Sequence, residues 1–275
     1  MIVALLVALV AAFLFALTFL FLLQAGRHDL LLARRQLEGA HTELERLQRA
    51  FAQFTPSGLV DRIIETGIDI KGEKRLVTIL FADIQGFTQL SERLEPAVLL
   101  RVLGGYFAAL SESITAHHGS VTRFIGDGFM ALFGALQANP WQVKDAVEAG
   151  LAMRDGLSKY NQTLLAEGLP ALSLGIGINH GLVVAGVVGA EGLLQFDVYG
   201  DAVNVAARVE ALTRGFGTDL LVTDAVKREL DDRFVTREMP PTHVKGKTEA
   251  ILTYAVDGQT AENQQKAGGP FTIKP

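Results

Sequence analysis

The sequence predicts an α+β domain over residues 56–257, in which helices cover a mostly antiparallel central sheet. A transmembrane helix and a short coiled coil are predicted to precede it. Three observations lead to this fold class. Short apolar runs alternate with helical stretches between residues 75 and 257, the turn Gly126-Asp127-Gly128 separates two of these runs, and residues 1–23 contain one polar side chain.

Residues 1–25 are predicted to form the transmembrane helix. The first 23 residues are apolar except for Thr18, and about 20 apolar residues suffice to cross the hydrocarbon core. A cleaved signal peptide is the alternative, but this segment lacks the basic start and the clear cleavage site of that class. Because Arg27, Arg34 and Arg35 follow the span, the positive-inside rule predicts a single-pass protein of the inner (plasma) membrane whose remaining chain is cytoplasmic.

Residues 26–55 are predicted to form a coiled-coil helix. Leu30, Leu37, Leu44 and Phe51 recur every seven residues, and a second apolar or alanine position follows each by three residues. Two such positions per heptad suit a parallel coiled coil. A single amphipathic helix packed on its own domain is the alternative. The sequence Thr-Pro-Ser-Gly at 55–58 ends this helix.

The elements of the α+β domain follow from its apolar runs and turn residues. A strand is predicted at 76–82, a long helix or a pair of helices at 89–117, and a hairpin at 120–125 and 129–133. A helix at 141–165 precedes strands at 172–179, 182–188 and 194–198 and a helix at 201–213 with Asp201 as its N-cap. Shorter elements are predicted at 220–223, 224–230 and 251–256, and the tail 258–275 is predicted to be disordered.

The composition excludes several classes of protein. The 275 residues include no cysteine, so zinc fingers and iron-sulfur clusters are excluded and any metal is expected to have oxygen or imidazole ligands. A formal net charge of -5 gives no electrostatic basis for general nucleic-acid binding. No nucleic-acid partner is therefore expected.

Two carboxylates occupy positions suited to a divalent ion. Asp83 follows an apolar strand at the start of a helix, and Asp127 lies at the tip of the predicted hairpin. Taken singly, each has an ordinary explanation, as an exposed or capping carboxylate and as a turn residue. If the hairpin lies beside the first strand, the two carboxylates share one end of the sheet and could hold Mg²⁺ or Mn²⁺ against phosphates.

A third feature is the polar face of the predicted helix at 201–213. Asn204 and Arg208 are four residues apart and therefore share one helical face. A solvated surface is the default explanation for such a pair.

Five ordered motifs together resemble the catalytic domain of the class III nucleotidyl cyclases, the adenylyl and guanylyl cyclases. They are LFADIQGFT at 80–88, FIGDGFMA at 124–131, GIGINHG at 175–181, DVYGDAVNVAAR at 197–208 and VKGK at 244–247. The resemblance covers about residues 56–257. It implies a ferredoxin-like-related domain that forms a cyclic nucleotide and pyrophosphate from a nucleoside triphosphate.

The resemblance also implies roles for the first two motifs. Asp83 and Asp127, with the Ile84 carbonyl, match the ligands of two Mg²⁺ or Mn²⁺ ions per active site. The phosphates are expected to meet the main chain at the following helix start. That segment comprises Gln85, Gly86, Phe87 and Thr88.

The later motifs supply the remaining roles. Arg208 matches the residue that stabilises charge on the α-phosphate in the transition state, and Asn204 the one that positions the ribose. Lys245 matches the lysine that binds the triphosphate, with Lys247 as a substitute. The family often has a further triphosphate arginine, and the matching position here is Gly192. Lys245, Lys247 or Arg214 could supply the missing cation.

The purine-reading pair implied by the resemblance is Arg123 and Asp197. Asp197 can accept a hydrogen bond from the amino group of adenine but would oppose the O6 acceptor of guanine. Arg123 stands where the family usually has lysine and still only donates. ATP is therefore the expected substrate and the chain an expected adenylate cyclase, with a guanylate cyclase as the alternative.

The family builds its active sites across a dimer interface, and this chain carries both sets of residues. A head-to-tail homodimer is implied, in which the coiled coil raises the local concentration of the partner domain. A membrane sensor partner and constitutive activity remain open as modes of control. A membrane-tethered nucleotide-binding module without turnover is a further alternative, motivated by Gly192 and Arg123.

Overall fold

The computed structural model describes residues 72–190, 193–243 and 250–260. All of them belong to one compact unit within Thr55–Pro275. The predicted transmembrane helix, coiled coil and tail lie outside the described residues, except that the last strand runs as far as Gln259. Gly192, Lys245 and Lys247 also lie outside them.

The described chain alternates strands and helices. In chain order the elements are β1 (Glu73–Gln85), α1 (Phe87–Arg93), α2 (Pro96–Ala116), β2 (Ser120–Ile125), β3 (Gly128–Phe133), α3 (Gln142–Ala166), β4 (Ser173–Ala190), β5 (Leu193–Tyr199), α4 (Asp201–Phe216), β6 (Leu220–Thr223), α5 (Asp224–Lys227), β7 (Phe234–Glu238) and β8 (Thr253–Gln259).

These strands form one mixed sheet with the order β2-β3-β1-β4-β6-β8-β7, and β5 pairs with β4 outside this path. Every pairing is antiparallel except that of β4 with β6. The central strand β1 pairs with β4 from Glu73 to Gln85 and with β3 from Thr78 to Ala82. The predicted α+β class with helices over a mostly antiparallel sheet is confirmed.

Alternate residues of β1 enter two different apolar layers, as the two-residue period of a strand requires. Leu80, Ala82 and Ile84 pack into the larger cluster, which includes the buried side chains of α2 and α3. Val77 and Ile79 face the opposite layer, with side chains of β3, β5 and α4. A sheet covered on both faces holds the ends of β1 and β3 in a fixed position.

Helix α2 belongs to this core. By length and apolar composition alone, Pro96–Ala116 is the one helix in the described ranges that could span a membrane. Its buried side chains are Val102, Tyr106, Leu110 and Ile114, which recur every four residues and pack into the larger cluster. Its apolar face is therefore explained by the domain itself.

Three details differ from the sequence-based expectations. The strands predicted at 172–179 and 182–188 form one continuous strand, because His180 and Gly181 pair with Thr78 and Val77 of β1. The N-cap of α4 is Gly200 instead of Asp201, which is the first helical residue. Strand β7 was not predicted, since it is short and pairs only with β8, distant in sequence.

Candidate active site

The paired carboxylates lie at one end of the sheet, as the sequence predicts. Asp83 is near the end of β1, and Asp127 is in the turn between β2 and β3. Pairing of Ala82 with Phe129 brings this turn beside Asp83, close enough for the two carboxyl groups to interact electrostatically. Gly128 makes the approach possible, because a Cβ there would lie 2.6 Å from the Ala82 carbonyl oxygen and 2.9 Å from Asp83 Oδ1.

The electrostatics of this pair favour a bound cation. The pKa of Asp83 is raised to about 6, first by burial and then by the hydrogen bond and negative charge of Asp127, while the Arg214 guanidinium opposes the shift. No group of three or more His, Cys, Asp or Glu side chains in the described ranges could hold a metal. Two carboxylates and the Ile84 carbonyl are nevertheless the oxygen ligands that Mg²⁺ and Mn²⁺ prefer. The residues fit a divalent ion.

Arg214, on the last turn of α4, contacts the same atoms. Its Nη2 donates to Asp83 Oδ2 at 3.3 Å and to the Ile84 carbonyl oxygen at 3.4 Å. The guanidinium is about half exposed, with 53% of the side-chain surface accessible. From sequence, Arg214 was a candidate only for replacing the triphosphate arginine missing at Gly192. Its contact with Asp83 was not predicted, because it depends on the packing of α4 against β1.

Two further polar groups are buried near the carboxylate pair. Glu210 is 9% exposed, and its Oε1 has no hydrogen-bond partner among the described residues. Its pKa is raised to about 7, first by burial and then by the negative charge of Asp83, with Arg214 opposing. Tyr106 is fully buried with an unpartnered hydroxyl, and burial raises its pKa far above the usual range. Neither residue was singled out in the sequence, although Glu210 and Arg214 are four apart on one helical face.

Gly175 provides the space for this arrangement. It lies opposite Asp83 in the pairing of β1 with β4. A Cβ at Gly175 would lie 2.5 Å from Thr213 Oγ1 and 2.7 Å from Glu210 Oε1. The absence of a side chain in β4 thus lets α4 place its acidic residue behind the carboxylate pair.

The segment expected to receive phosphates follows Asp83 directly. Gln85 ends β1, Gly86 adopts a left-handed φ of 78°, and Phe87 and Thr88 begin α1. The Gly86 carbonyl accepts from the amide groups of Gln89 and Leu90 at 3.2 and 3.4 Å. The chain therefore turns sharply into α1 within three residues of Asp83.

The predicted purine-reading residues are also brought together. Arg123 on β2 and Asp197 on β5 form an ion pair through Arg123 Nη2 and Asp197 Oδ2. Asp197 is nearly buried, with 4% of its side chain exposed, whereas 43% of Arg123 is exposed. The pair thus combines a fixed acceptor with a donor accessible from solvent.

Asn204 and Arg208 lie on α4, as predicted, with Asn204 exposed and Arg208 partly buried. Arg208 Nη1 is buried and has no hydrogen-bond partner in the part of the chain that the structure describes. Within the described ranges, no hydrogen bond or ion pair joins either residue to Asp83 or Asp127. Asn204 and Arg214 are ten residues apart, which corresponds to about 15 Å along a helix axis.

The chain matches known proteins over this domain. The family model described as adenylate and guanylate cyclase catalytic domain matches residues 71–258. The adenylate cyclase of Anabaena cylindrica is 36% identical over 231 residues, covering 80% of this chain and 45% of that protein. Adenylate cyclase 1 of Rhizobium meliloti is 34% identical, covering 84% of this chain and 35% of that protein. The chain thus spans less than half the length of these curated relatives.

Solved structures of guanylyl and adenylyl cyclases share this fold. The guanylyl cyclase Cya2 is 33% identical with a TM-score of 0.63, covering 69% of this chain and 95% of that one. The adenylyl cyclase CyaB from P. aeruginosa is 27% identical with a TM-score of 0.65, covering 70% of this chain and 98% of that one.

Proposed function

We propose that this chain, which belongs to the adenylate and guanylate cyclase catalytic domain family, converts ATP into 3′,5′-cyclic AMP and pyrophosphate. The observation that carries the proposal is the carboxylate pair at the end of the sheet. The pairing of Ala82 with Phe129 brings Asp127 beside Asp83 and the Ile84 carbonyl, and the negative charge of Asp127 raises the pKa of Asp83. This is an oxygen-ligand set suited to the divalent ions that accompany nucleoside triphosphates.

In this proposal Asp83, Asp127 and the Ile84 carbonyl hold two Mg²⁺ or Mn²⁺ ions. When bound, such ions lower the pKa of a hydroxyl group and neutralise charge on phosphates. Gln85, Gly86, Phe87 and Thr88 then receive the phosphates on their main chain. Lys245, with Lys247 as its substitute, supplies a cation for the triphosphate.

Arg208 and Asn204 act on the reacting part of the substrate. Arg208 donates to the α-phosphate as negative charge builds there, which is the place where a fixed donor has the largest effect on rate. Its buried Nη1 has no partner within residues 72–190, 193–243 and 250–260, which supports a role in binding a ligand. Asn204 is exposed on the same face of α4 and orients the ribose.

The pair of Arg123 and Asp197 selects adenine. The Asp197 carboxylate uses Oδ2 for Arg123 and accepts a hydrogen bond from the amino group of adenine, while Arg123 donates to the ring. Guanine would present its O6 acceptor to the carboxylate, and that repulsion disfavours GTP. The curated relatives named above are adenylate cyclases, which agrees with this choice.

The complete site requires a second copy of the chain. Asn204 is about 15 Å along α4 from Arg214, whose guanidinium contacts Asp83. A head-to-tail homodimer brings the α4 face of one copy to the carboxylate pair of the other. Apolar side chains exposed on β2 and β4 support such an interface. They are Phe124, Ile125, Leu182, Val184 and Val188.

The predicted transmembrane helix and coiled coil would hold two such domains together at the cytoplasmic face of the inner (plasma) membrane. A tether of this kind raises the effective concentration of the partner domain. A membrane sensor partner would act through the same coil.

The test is nucleotide turnover by the full chain in detergent, supplied with ATP or GTP and Mg²⁺ or Mn²⁺. We expect cyclic AMP as the main product and its loss in Asp83→Ala and Arg208→Ala, with the exposed Asp155→Ala as a charge-matched control that retains activity. Predominant cyclic GMP would favour a guanylate cyclase, the class of the similar protein Cya2. Nucleotide binding by a folded dimer without either product would favour the regulatory module.

A further inference from the structure

Arg214 is hydrogen-bonded to two oxygen atoms that are proposed to bind the metal. Its Nη2 reaches Asp83 Oδ2 at 3.3 Å and the Ile84 carbonyl oxygen at 3.4 Å. Both oxygens are assigned to a divalent ion in the proposed function. A guanidinium donor and a metal ion cannot use the same lone pairs of these oxygens at the same time.

The surroundings explain why a cation is held there. Asp83, Asp127 and Glu210 bring three acidic side chains to the end of β1, and Arg214 is the cation that opposes the raised pKa of both Asp83 and Glu210. Glu210 lies one turn before Arg214 on α4. The arginine thus supplies part of the positive charge that the acidic group needs.

The Arg214 side chain is also free to move away from Asp83 and the Ile84 carbonyl. Its side chain is 53% exposed and projects from the last turn of α4, beside Gly215 and Gly217. Both of its contacts with Asp83 and Ile84 are longer than the usual charge-assisted hydrogen bond. Exposed ion pairs of this kind contribute little stability and are readily broken.

We propose that Arg214 is an internal counter-ion that holds Asp83 and the Ile84 carbonyl in the metal-free chain and competes with the divalent ion for them. The inference rests on the proposed function, because it takes the carboxylate pair as the metal site. Arg214 is then a positioning residue that sets the metal concentration at which the site loads. Without metal, Asp83 and the Ile84 carbonyl thus stay in place with a cation beside them.

The test is Mn²⁺ binding by the full chain without nucleotide, measured from the electron paramagnetic resonance signal of free Mn²⁺. Arg214→Met keeps most of the side-chain length and removes the charge. We expect this variant to bind Mn²⁺ about tenfold more tightly than the unaltered chain, because one charge-assisted competitor is lost. Arg228→Met is the matched control, since Arg228 is 76% exposed and pairs with Asp224 instead; its Mn²⁺ affinity should equal that of the unaltered chain.

Thermal unfolding gives a second measurement. Without metal, Arg214→Met should unfold at a lower temperature than the unaltered chain, and saturating Mn²⁺ should remove that difference. Arg214→Gln, which keeps a hydrogen-bond donor but no charge, replaces the Met variant if the latter does not fold. A difference that persists in saturating Mn²⁺ would indicate a structural role only and would overturn the inference.

The outcomes separate this inference from the proposed function. If Asp83→Asn abolishes Mn²⁺ binding while Arg214→Met leaves the affinity unchanged or weakens it, the counter-ion role is wrong and the metal site stands. If Asp83→Asn binds Mn²⁺ as tightly as the unaltered chain, the metal site itself is wrong. Tighter binding in Arg214→Met alone, with Arg228→Met unchanged, supports the inference.

Discussion

Asp197 and Arg123 differ sharply in their surroundings although they form one ion pair. Asp197 is held on β5 with 4% of its side chain exposed, so its acceptor oxygens have a fixed direction. Arg123 is far more exposed and more adaptable. A buried acceptor rejects a ligand that presents another acceptor, because neither group then has a hydrogen-bond partner. Base selection is therefore expected to depend on Asp197 more than on Arg123.

Asp197→Ala is expected to lower the ratio of kcat/KM for ATP to that for GTP by at least about tenfold, since one discriminating hydrogen bond is lost. The measurement is the rate of both cyclic products over a range of each nucleotide. Asp155→Ala, exposed on α3, should leave the ratio unchanged. An unaltered ratio in Asp197→Ala would show that this carboxylate does not read the base.

Gly128 allows the close approach of Asp83 and Asp127, the carboxylates proposed to bind the metal. In Gly128→Ala the new methyl group would lie 2.6 Å from the Ala82 carbonyl oxygen, so the strands must separate. We expect a loss of about 1–3 kcal/mol in the free energy of unfolding, as for other overpacked sites, and weaker Mn²⁺ binding. Thermal unfolding and Mn²⁺ titration measure these effects.

Gly104→Ala is the matched control for that substitution. Gly104 lies within α2, and a Cβ there would have no atom within 4 Å. Since alanine favours a helix by about 1 kcal/mol over glycine, this variant should be more stable and bind Mn²⁺ normally. If Gly128→Ala and Gly104→Ala had the same stability and the same Mn²⁺ affinity, the role given to Gly128 would be wrong.

At the scale of elements, the features predicted from sequence are those determined locally. The prediction of the hairpin around Asp127 was correct, because the turn residues Gly-Asp-Gly are adjacent in sequence and determine the turn locally. The division of β4 at His180 was wrong because thirteen residue pairs with β1 keep the strand continuous. The contact of Arg214 with Asp83, 131 residues away in sequence, could not be predicted, since it depends on how α4 packs against β1.

The packing of α4 over β1 also makes stability depend on pH. The pKa of Glu210 is raised from 4.5 to about 7 in the folded chain. Its ionisation therefore destabilises the fold: stability is fully present below about pH 4.5 and is lost as the pH rises through about 7. The pKa of Asp83 is raised in the same direction.

Glu210→Gln removes the part of this pH dependence that Glu210 contributes. At pH 8 the metal-free variant should be more stable than the unaltered chain by up to about 3 kcal/mol, since each unit of pKa corresponds to about 1.4 kcal/mol. At pH 4.5 the two should be equal. Thermal unfolding at both values measures the difference, and a variant that is less stable at pH 8 would contradict the assigned environment of Glu210.

At the scale of the whole molecule, the proposed active site divides into two half-sites. One contains Asp83, Asp127 and the Ile84 carbonyl, and the other contains Arg208, Asn204 and the purine-reading pair. Within one copy, no hydrogen bond or ion pair among the described residues joins the first half-site to the second. The proposed dimer joins the first half-site of one copy to the second half-site of its partner, so that two equivalent sites form.

Mixing two inactive variants tests this central claim most directly. When Asp83→Ala and Arg208→Ala chains carrying different tags are expressed together, a mixed dimer contains one intact site and one doubly defective site. With random pairing, the mixture is predicted to recover about a quarter of the unaltered cyclic AMP production. Asp83→Ala with Asp127→Ala should recover none, because both defects lie in the same half-site and every site receives one. Absence of activity from purified mixed dimers of the first pair would contradict a site shared between two copies.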